Sequence, residues 1–270
     1  MAESVDAVSA ELPRYAVRTF RPRQTKYALA VFVLNEGERI RAQLARMRPL
    51  TNAIDIVIVD GGSTDGALDD GLPADCGVRA VVVKQGAGGL SAQMRVGLYW
   101  CLAQGYEGIV TIDGNDKDDS SAVPGFIAAL ERGIDHVQGS RYVPGGVGVR
   151  TPLARHLGVT LLHAPLISLA ARTRYTDTTN GFRAYSAQFL RDPRVQPFRA
   201  VFMRYELHYY LAIRAARLGY RVAELPVTRT YPVGGAVPTK IKGLRGNLAI
   251  LRTLWDAVRG RFDPSAASGQ

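Results

Sequence analysis

Cysteine and histidine are scarce in this chain, at two and four residues of 270. Cys76 and Cys101 have no metal-ligand spacing and suggest no disulfide framework, so a reducing cytosol is the expected compartment. His136, His156, His163 and His208 show no ligand spacing with one another, and a histidine-built metal centre is not expected. The first residues are acidic, with no apolar run before Pro13, which excludes an ordinary secretory leader. Nowhere do about 18 apolar residues follow one another. The longest apolar helical stretch, 153–171, is interrupted by Pro165 and reads as too short to span a bilayer. There is no internal repeat, and the recognition motifs of nucleic-acid-binding proteins are missing.

What is present describes a globular protein with a basic surface. Hydrophobic residues make up 47%, and the formal net charge is +10. This length buries a sizeable core, as one large α/β domain or as one domain with a C-terminal appendage. The positive charge favours anionic partners such as nucleotide diphosphates, lipid phosphates, phospholipid surfaces or nucleic acid, without choosing among them.

Apolar, β-branched runs at Tyr27 to Leu34, Ile54 to Val59, Arg79 to Val83 and Gly108 to Ile112 alternate with helical patterns. That alternation predicts a parallel sheet with helices on both faces. In such a sheet, ligands bind beyond the carboxyl ends of the strands. Glu36, Asp60, Asp65 and Asp113 all fall there. The run Gly108 to Asp119 organises the chain: a buried strand breaks at Gly114 into a loop of carboxylates and amides. A divalent cation carrying a diphosphate takes one or two carboxylates at a rigid strand end, and Asp113 is placed for that. The competing reading is an acidic turn that caps the helix starting near Ser120 or Ser121. Asp65 reads better as a turn former.

Residues 1–25 read as a disordered or extended arm. The α/β domain is expected over 26–239. Over 240–262, Leu244, Leu248, Leu251, Trp255, Val258 and Phe262 recur at spacings of three and four among basic residues. This is an amphipathic helix, suited equally to packing on the parent domain and to an anionic membrane surface. Residues 263–270 read as a flexible tail.

The chain resembles glycosyltransferase family 2 from about Tyr27 to Lys242, and within it the polyprenol-phosphate branch. The carriers are Asn35-Glu36, "VDGGSTDG" at 59–66, the Asp113 loop, "GSRY" at 139–142, "DTTNGFRAY" at 177–185 and "RLGYRVAELPV" at 217–227. The resemblance implies a GT-A fold, Rossmann-like, with a mostly parallel sheet. It implies transfer of a sugar from a nucleotide-diphosphate sugar to an acceptor, a polyprenyl phosphate at the cytoplasmic membrane face. Glu36 and Asp60 would hold base and ribose, Asp113 the ribose or a Mg²⁺ or Mn²⁺ ion, and Arg141 and Arg183 the phosphates. Arg229, Lys240 and Lys242 flank a glycine-bearing loop, readable as a phosphate lid or as a solvated basic loop.

This chain departs from the family at two positions. Asn115 replaces a second aspartate, and Lys117 stands where the branch has a glutamine. Asp116 or Asp118 would then complete the metal site with Asp113 and Asn115, or Lys117 would itself pair with the diphosphate. A hydroxyl acceptor, soluble or polysaccharide, would need Glu206 or Asp177 as base. Glu206 also reads as a helix-surface acid paired with a nearby arginine. Sugar nucleotidyltransfer is disfavoured because Asn35-Glu36-Gly37 stands where a glycine-rich basic loop would be. Nucleic-acid binding is disfavoured by the acidic rim.

Overall fold

The computed structural model describes residues 11–69, 71–233 and 243–264. The strands are β1 (Tyr15–Thr19), β2 (Tyr27–Val33), β3 (Asp55–Asp60), β4 (Ala80–Lys84), β5 (Gly108–Asp113), β6 (His136–Ser140), β7 (Val147–Val149), β8 (Arg183–Ser186), β9 (Val222–Pro226) and β10 (Thr228–Thr230). One sheet runs β1-β4-β3-β2-β5-β8-β6-β9, and β7 with β10 makes a separate ribbon. The helices are α1 (Glu38–Met47), α2 (Leu72–Asp75), α3 (Leu90–Ala103), α4 (Val123–Glu131), α5 (Leu153–Gly158), α6 (Ala164–Ala171), α7 (Ala187–Arg191), α8 (Glu206–Arg217) and α9 (Gly243–Val258).

The central strands are apolar throughout because both of their faces are covered. Leu29, Val31, Ile56, Ile58 and Ile112 face α1 and α4, packing on Ile40, Leu44 and Phe126. Ala28, Ala30, Val57 and Val59 face the other way, toward Met94 and Leu98 of α3 and Leu207 and Leu211 of α8. That alternation of faces is the strand period of two. At Gly97 of α3 an added Cβ would stand 2.6 Å from Val59 Cγ2, so glycine lets this helix rest directly on β3. The mostly parallel α/β architecture expected from the sequence is present, with β8 inserted antiparallel between β5 and β6.

Where it is described, the arm is extended. β1 pairs antiparallel with β4, and Gln24 and Thr25 donate their backbone N–H groups to the buried Asp55 carboxylate at 2.9 and 3.2 Å. Pro165 does not interrupt the 153–171 helix. A π turn over Val159–His163, with Ala164 N–H bonded to Val159 O, joins α5 to α6. Such a turn absorbs the bond that proline cannot donate. The resulting 19-residue segment, Leu153–Ala171, is long and apolar enough to cross a membrane by length and composition alone, which corrects the reading that it is too short. Helix α9 packs against α6 and α8 through Leu254 and Ala257.

Candidate active site

Strands β3, β2 and β5 lie side by side and parallel, with Val33 opposite Asp60 and Phe32 opposite Asp113. The two aspartates therefore end the strands that flank β2, about 10 Å apart at the strand spacing of a sheet. The loops beyond are cross-braced. Asn35 N–H donates to Ser63 Oγ at 2.9 Å, Thr64 N–H to Asn35 Oδ1 at 2.8 Å, and Gly37 N–H to Asp65 Oδ2 at 2.8 Å. Asp60 accepts from the Ser63 N–H and hydroxyl. Asp65 is thus a loop brace, while Glu36 accepts from Arg39 one turn on.

Two glutamines that sequence reasoning passed over hold these strand ends. Gln93 donates to Val33 O and Val59 O at 2.9 and 2.6 Å. Gln43 donates to Asp113 O at 2.9 Å and accepts from Asp116 N–H at 2.8 Å. The available signal was a glutamine on the buried stripe of each helix.

In the acidic loop, Asp113 Oδ2 accepts from Arg229 Nη2 at 3.0 Å and from Asn115 Nδ2 at 3.3 Å. Arg229 Nη1 also binds Asp118, which is fully buried, and lies 3.4 Å from Asn180 Oδ1. The Arg229 backbone is held on both sides. Its strand pairs with β7, while Thr230 N–H donates to Lys117 O at 2.7 Å and Asp119 N–H to Thr228 O at 3.0 Å. Arg229 is therefore a fixed part of the loop rather than a lid. Lys240 and Lys242 lie outside the described residues. Helix capping falls to Asp119, which accepts from Ser121 N–H.

Burial pushes the Asp113 carboxyl up, but the charges of Arg229 and Lys117 outweigh it and leave the group below its ordinary value. Burial, opposed by Arg229, leaves Asp118 raised. Lys117 is pulled down to about 8 by burial and then by the charge of Arg229. Its ammonium stands 5.6 Å from the Tyr231 ring.

These residues do not fit a divalent ion. One oxygen of Asp113 is taken by a guanidinium, Asp116 is ion-paired with Arg46, and a lysine stands where a neutral ligand was expected. Asn115 Oδ1 and Asp118 Oδ1 remain as buried acceptors without a hydrogen-bond partner, beside two cations.

Other predicted residues lie elsewhere. Arg183, fully buried in β8, donates to the carbonyls of Asn180, His208 and Thr178 at 2.9, 2.6 and 2.8 Å, so it ties backbone together. Arg141 is paired with Asp177 through Nε at 2.6 Å and Nη2 at 2.9 Å, with both side chains almost wholly buried. That pairing consumes the phosphate-binding arginine and the candidate base together. Glu206 accepts from Met203 N–H and Arg204 N–H at 2.9 and 2.6 Å at the start of α8. Glu224, unremarked in the sequence, accepts from the Thr176 and Asp177 N–H groups.

Residues 29–194 match the family described as Glycosyl transferase family 2. The chain is 31% identical over 196 residues to an undecaprenyl-phosphate mannosyltransferase of Micrococcus luteus, covering 72% of this chain and 79% of that one. It is 29% identical over 248 residues to a polyprenol monophosphomannose synthase of Mycolicibacterium smegmatis, covering 91% of each. A crystal structure of glucosyl-3-phosphoglycerate synthase from Mycobacterium tuberculosis, in complex with Mn²⁺, uridine diphosphate and phosphoglyceric acid, superposes with a TM-score of 0.62. That structure shares 20% identity and the match covers 90% of this chain and 81% of that one, which is a likeness of fold. With the family match spanning more than half of its length, the chain belongs to glycosyl transferase family 2 and is a glycosyltransferase of GT-A fold, akin to the family's polyprenol-phosphate mannose synthase branch.

Proposed function

We propose that the protein transfers a hexose from a nucleotide-diphosphate sugar to a polyprenyl phosphate at the cytoplasmic membrane face. The observation that carries this reading is the braced rim, with Asp60 and Asp113 ending strands on either side of β2. The nucleoside lies over the loops after β2 and β3, near Glu36 and Asp60, and the diphosphate extends toward Asp113 and Lys117. An acceptor phosphate oxygen attacks the anomeric carbon. The bond from that carbon to the diphosphate breaks, and the electron pair leaves with the diphosphate. The attacking oxygen is already anionic, so no base is required. Fixed positive charge near the leaving oxygens stabilises the charge that develops there. The dependence on Mg²⁺ or Mn²⁺ is weak, because Asn115 and Lys117 replace an anionic and a neutral ligand.

Two further features support a lipid acceptor. Around Tyr231 stand Lys117 and, 5.8 Å from the ring, Arg155 of α5, while Arg150 donates to the Tyr231 carbonyl. From α5 onward Leu153, Leu157, Leu161 and Leu169 are exposed, Leu161 and Leu169 by 71% and 75%, which is far more than packing on this chain explains. Leu248, Leu251 and Trp255 are exposed on the neighbouring α9. An apolar ridge beside basic residues suits a helix lying in a lipid interface. The phosphate of a lipid bound there would meet Arg155 and Lys117.

The test is thermal stabilisation by nucleoside diphosphates, since a ligand of the folded state raises stability by mass action. One of GDP or UDP should stabilise the wild type, and Asp60→Ala should lose that response while melting near the wild-type temperature. The stabilising nucleotide, presented as its sugar conjugate, should then support transfer to a polyprenyl phosphate. Normal binding by Asp60→Ala would move the nucleotide away from this rim.

A further inference from the structure

We propose that the Arg229 guanidinium, together with Lys117, takes the place of a divalent ion in this site, so that diphosphate binds and departs without metal. The inference rests on the nucleotide-sugar reading above and concerns the same site. Arg229 bridges Asp113 and Asp118 with one nitrogen on each, and so occupies one of the two Asp113 carboxylate oxygens. On the other side of that carboxylate, Gly181 approaches so closely that an added Cβ would stand 2.7 Å from Asp113 Oδ1. The carboxylate is thus held between a guanidinium and the chain.

The cation is built in. Its strand is hydrogen-bonded to β7 on one edge and to residues 117–119 on the other, and the Arg229 side chain is buried. A guanidinium held this way offers planar, directional N–H groups and cannot lose its proton near neutral pH.

Charge accounting points the same way. Asp113 and Asp118 carry two negative charges, and Arg229 and Lys117 carry two positive ones, so the four side chains sum to zero. A pair of carboxylates loaded with a divalent ion has that same sum. The first service of a metal here would be to remove the repulsion that bare carboxylates exert on an arriving diphosphate, and these side chains do so unaided. A divalent ion added to the cluster would meet two cations at close range. Asn115 adds to the bias, because it removes a negative charge from the loop. Each of the two departures alone is unremarkable, but Asn115 and Lys117, with Arg229 across the acids, all act in the direction that expels a metal.

The experiment uses the full chain and the nucleoside diphosphate, GDP or UDP, that stabilises it. Mn²⁺ binding is followed by the free-ion electron paramagnetic resonance signal, and diphosphate affinity is measured calorimetrically in chelator and in Mn²⁺. The expected result is no uptake of Mn²⁺ by the wild type and less than about threefold change in diphosphate affinity between buffers. Arg229→Gln should take up Mn²⁺ and bind diphosphate at least about tenfold more tightly with it than without. Arg229→Lys, which keeps the charge, should stay closer to the wild type. Stoichiometric Mn²⁺ uptake by the wild type with diphosphate, and loss of diphosphate in chelator, would overturn the proposal. Should Arg229→Gln fail to fold, the two wild-type measurements decide by themselves. Absence of diphosphate binding in both buffers would instead remove the nucleotide-sugar reading, and this inference with it.

Discussion

Replacing Asp177 by asparagine separates a structural carboxylate from a catalytic one. Its two oxygens accept from Arg141 Nε and Nη2 at 2.6 and 2.9 Å, and the side chains are 1% and 0% exposed for Arg141 and Asp177. Arg141 also donates to Tyr231 Oη at 3.1 Å and Thr179 Oγ1 at 3.0 Å, so the guanidinium is fixed and has no water to retreat into. Burial works against both charges. The pairing overcomes it, leaving Asp177 below and Arg141 above their ordinary values. Removing one partner of such a pair strands the other charge and costs about 3–5 kcal/mol. For a chain of this size, each kcal/mol is about 2–4 °C in Tm, so Asp177→Asn should melt roughly 6–20 °C lower. The double change Arg141→Met with Asp177→Leu should recover much of that loss, because an apolar pair replaces a buried ion pair with little net cost. Urea and thermal unfolding of the wild type, Arg141→Met, Asp177→Leu and the double variant provide the cycle, with Asp177→Asn measured beside them and transfer rates taken below the lowest Tm. If Asp177→Asn melts with the wild type while its rate falls by orders of magnitude, Asp177 is a base and the structural account fails.

Acidification should destabilise the protein. Burial depresses His163 to about 4 and His136 to about 3, and holds His208 well below its ordinary value. The unfolded chain, with histidines near 6.5, therefore binds more protons in the window below that pH, and stability falls as pH drops from about 6.5 toward 4, by up to about 3 kcal/mol for His163 alone. Urea midpoints at pH 7.5, 5.5 and 4.5 should decline in that order, less steeply in His163→Gln; equal midpoints would show that these rings are solvated. Leu161→Glu and Leu169→Glu, at positions exposed by 71% and 75%, should leave Tm nearly unchanged and reduce flotation with anionic vesicles, whereas undiminished flotation would assign membrane contact to another face.

The sheet was legible wherever burial on both faces forces a continuous apolar run, as in β2, β3, β4 and β5. β1 escaped notice because Tyr15-Ala-Val-Arg-Thr19 is a largely exposed edge with no such run. Its order comes from pairing with β4, which is distant in sequence, while Asp55 holds the end of the arm through the backbone donors of Gln24 and Thr25. β8 lay hidden inside a stretch recognised for its chemistry, "DTTNGFRAY", and its antiparallel insertion is a long-range fact that no local pattern encodes. Pro165 was read as a break because proline removes one helical bond; the π turn before it shows how the neighbouring backbone absorbs that loss. At the rim, the aspartates at strand ends could be placed from alternation alone. The arginines could not, since sequence gives charge without partner. Arg141 and Arg183 are spent on Asp177 and on backbone carbonyls, while Arg229, read as part of a lid, lies across the acids.

The choice between a phosphate and a hydroxyl acceptor turns on whether any carboxylate is left to act as base. Asp177 is paired with Arg141, and Glu224 accepts from the backbone at Thr176 and Asp177. Glu206 is the remaining candidate, and its Oε2 accepts two N–H groups, from Met203 and Arg204. Those same two residues accept from the start of α3, Met203 O from Gly89 N–H and Arg204 O from Ser91 N–H, each at 2.7 Å. Glu206 therefore locks the turn that joins α8 to α3. An amide oxygen still accepts those bonds but takes up no proton, so Glu206→Gln keeps the lock and removes the base. With a polyprenyl phosphate acceptor, whose attacking oxygen carries no proton, the variant should transfer within a few-fold of the wild-type rate. General-base catalysis is worth about 10²–10⁴ in rate. A fall of that size with an unchanged Tm would make Glu206 the base and the acceptor a hydroxyl, and the phosphate reading would have to be given up.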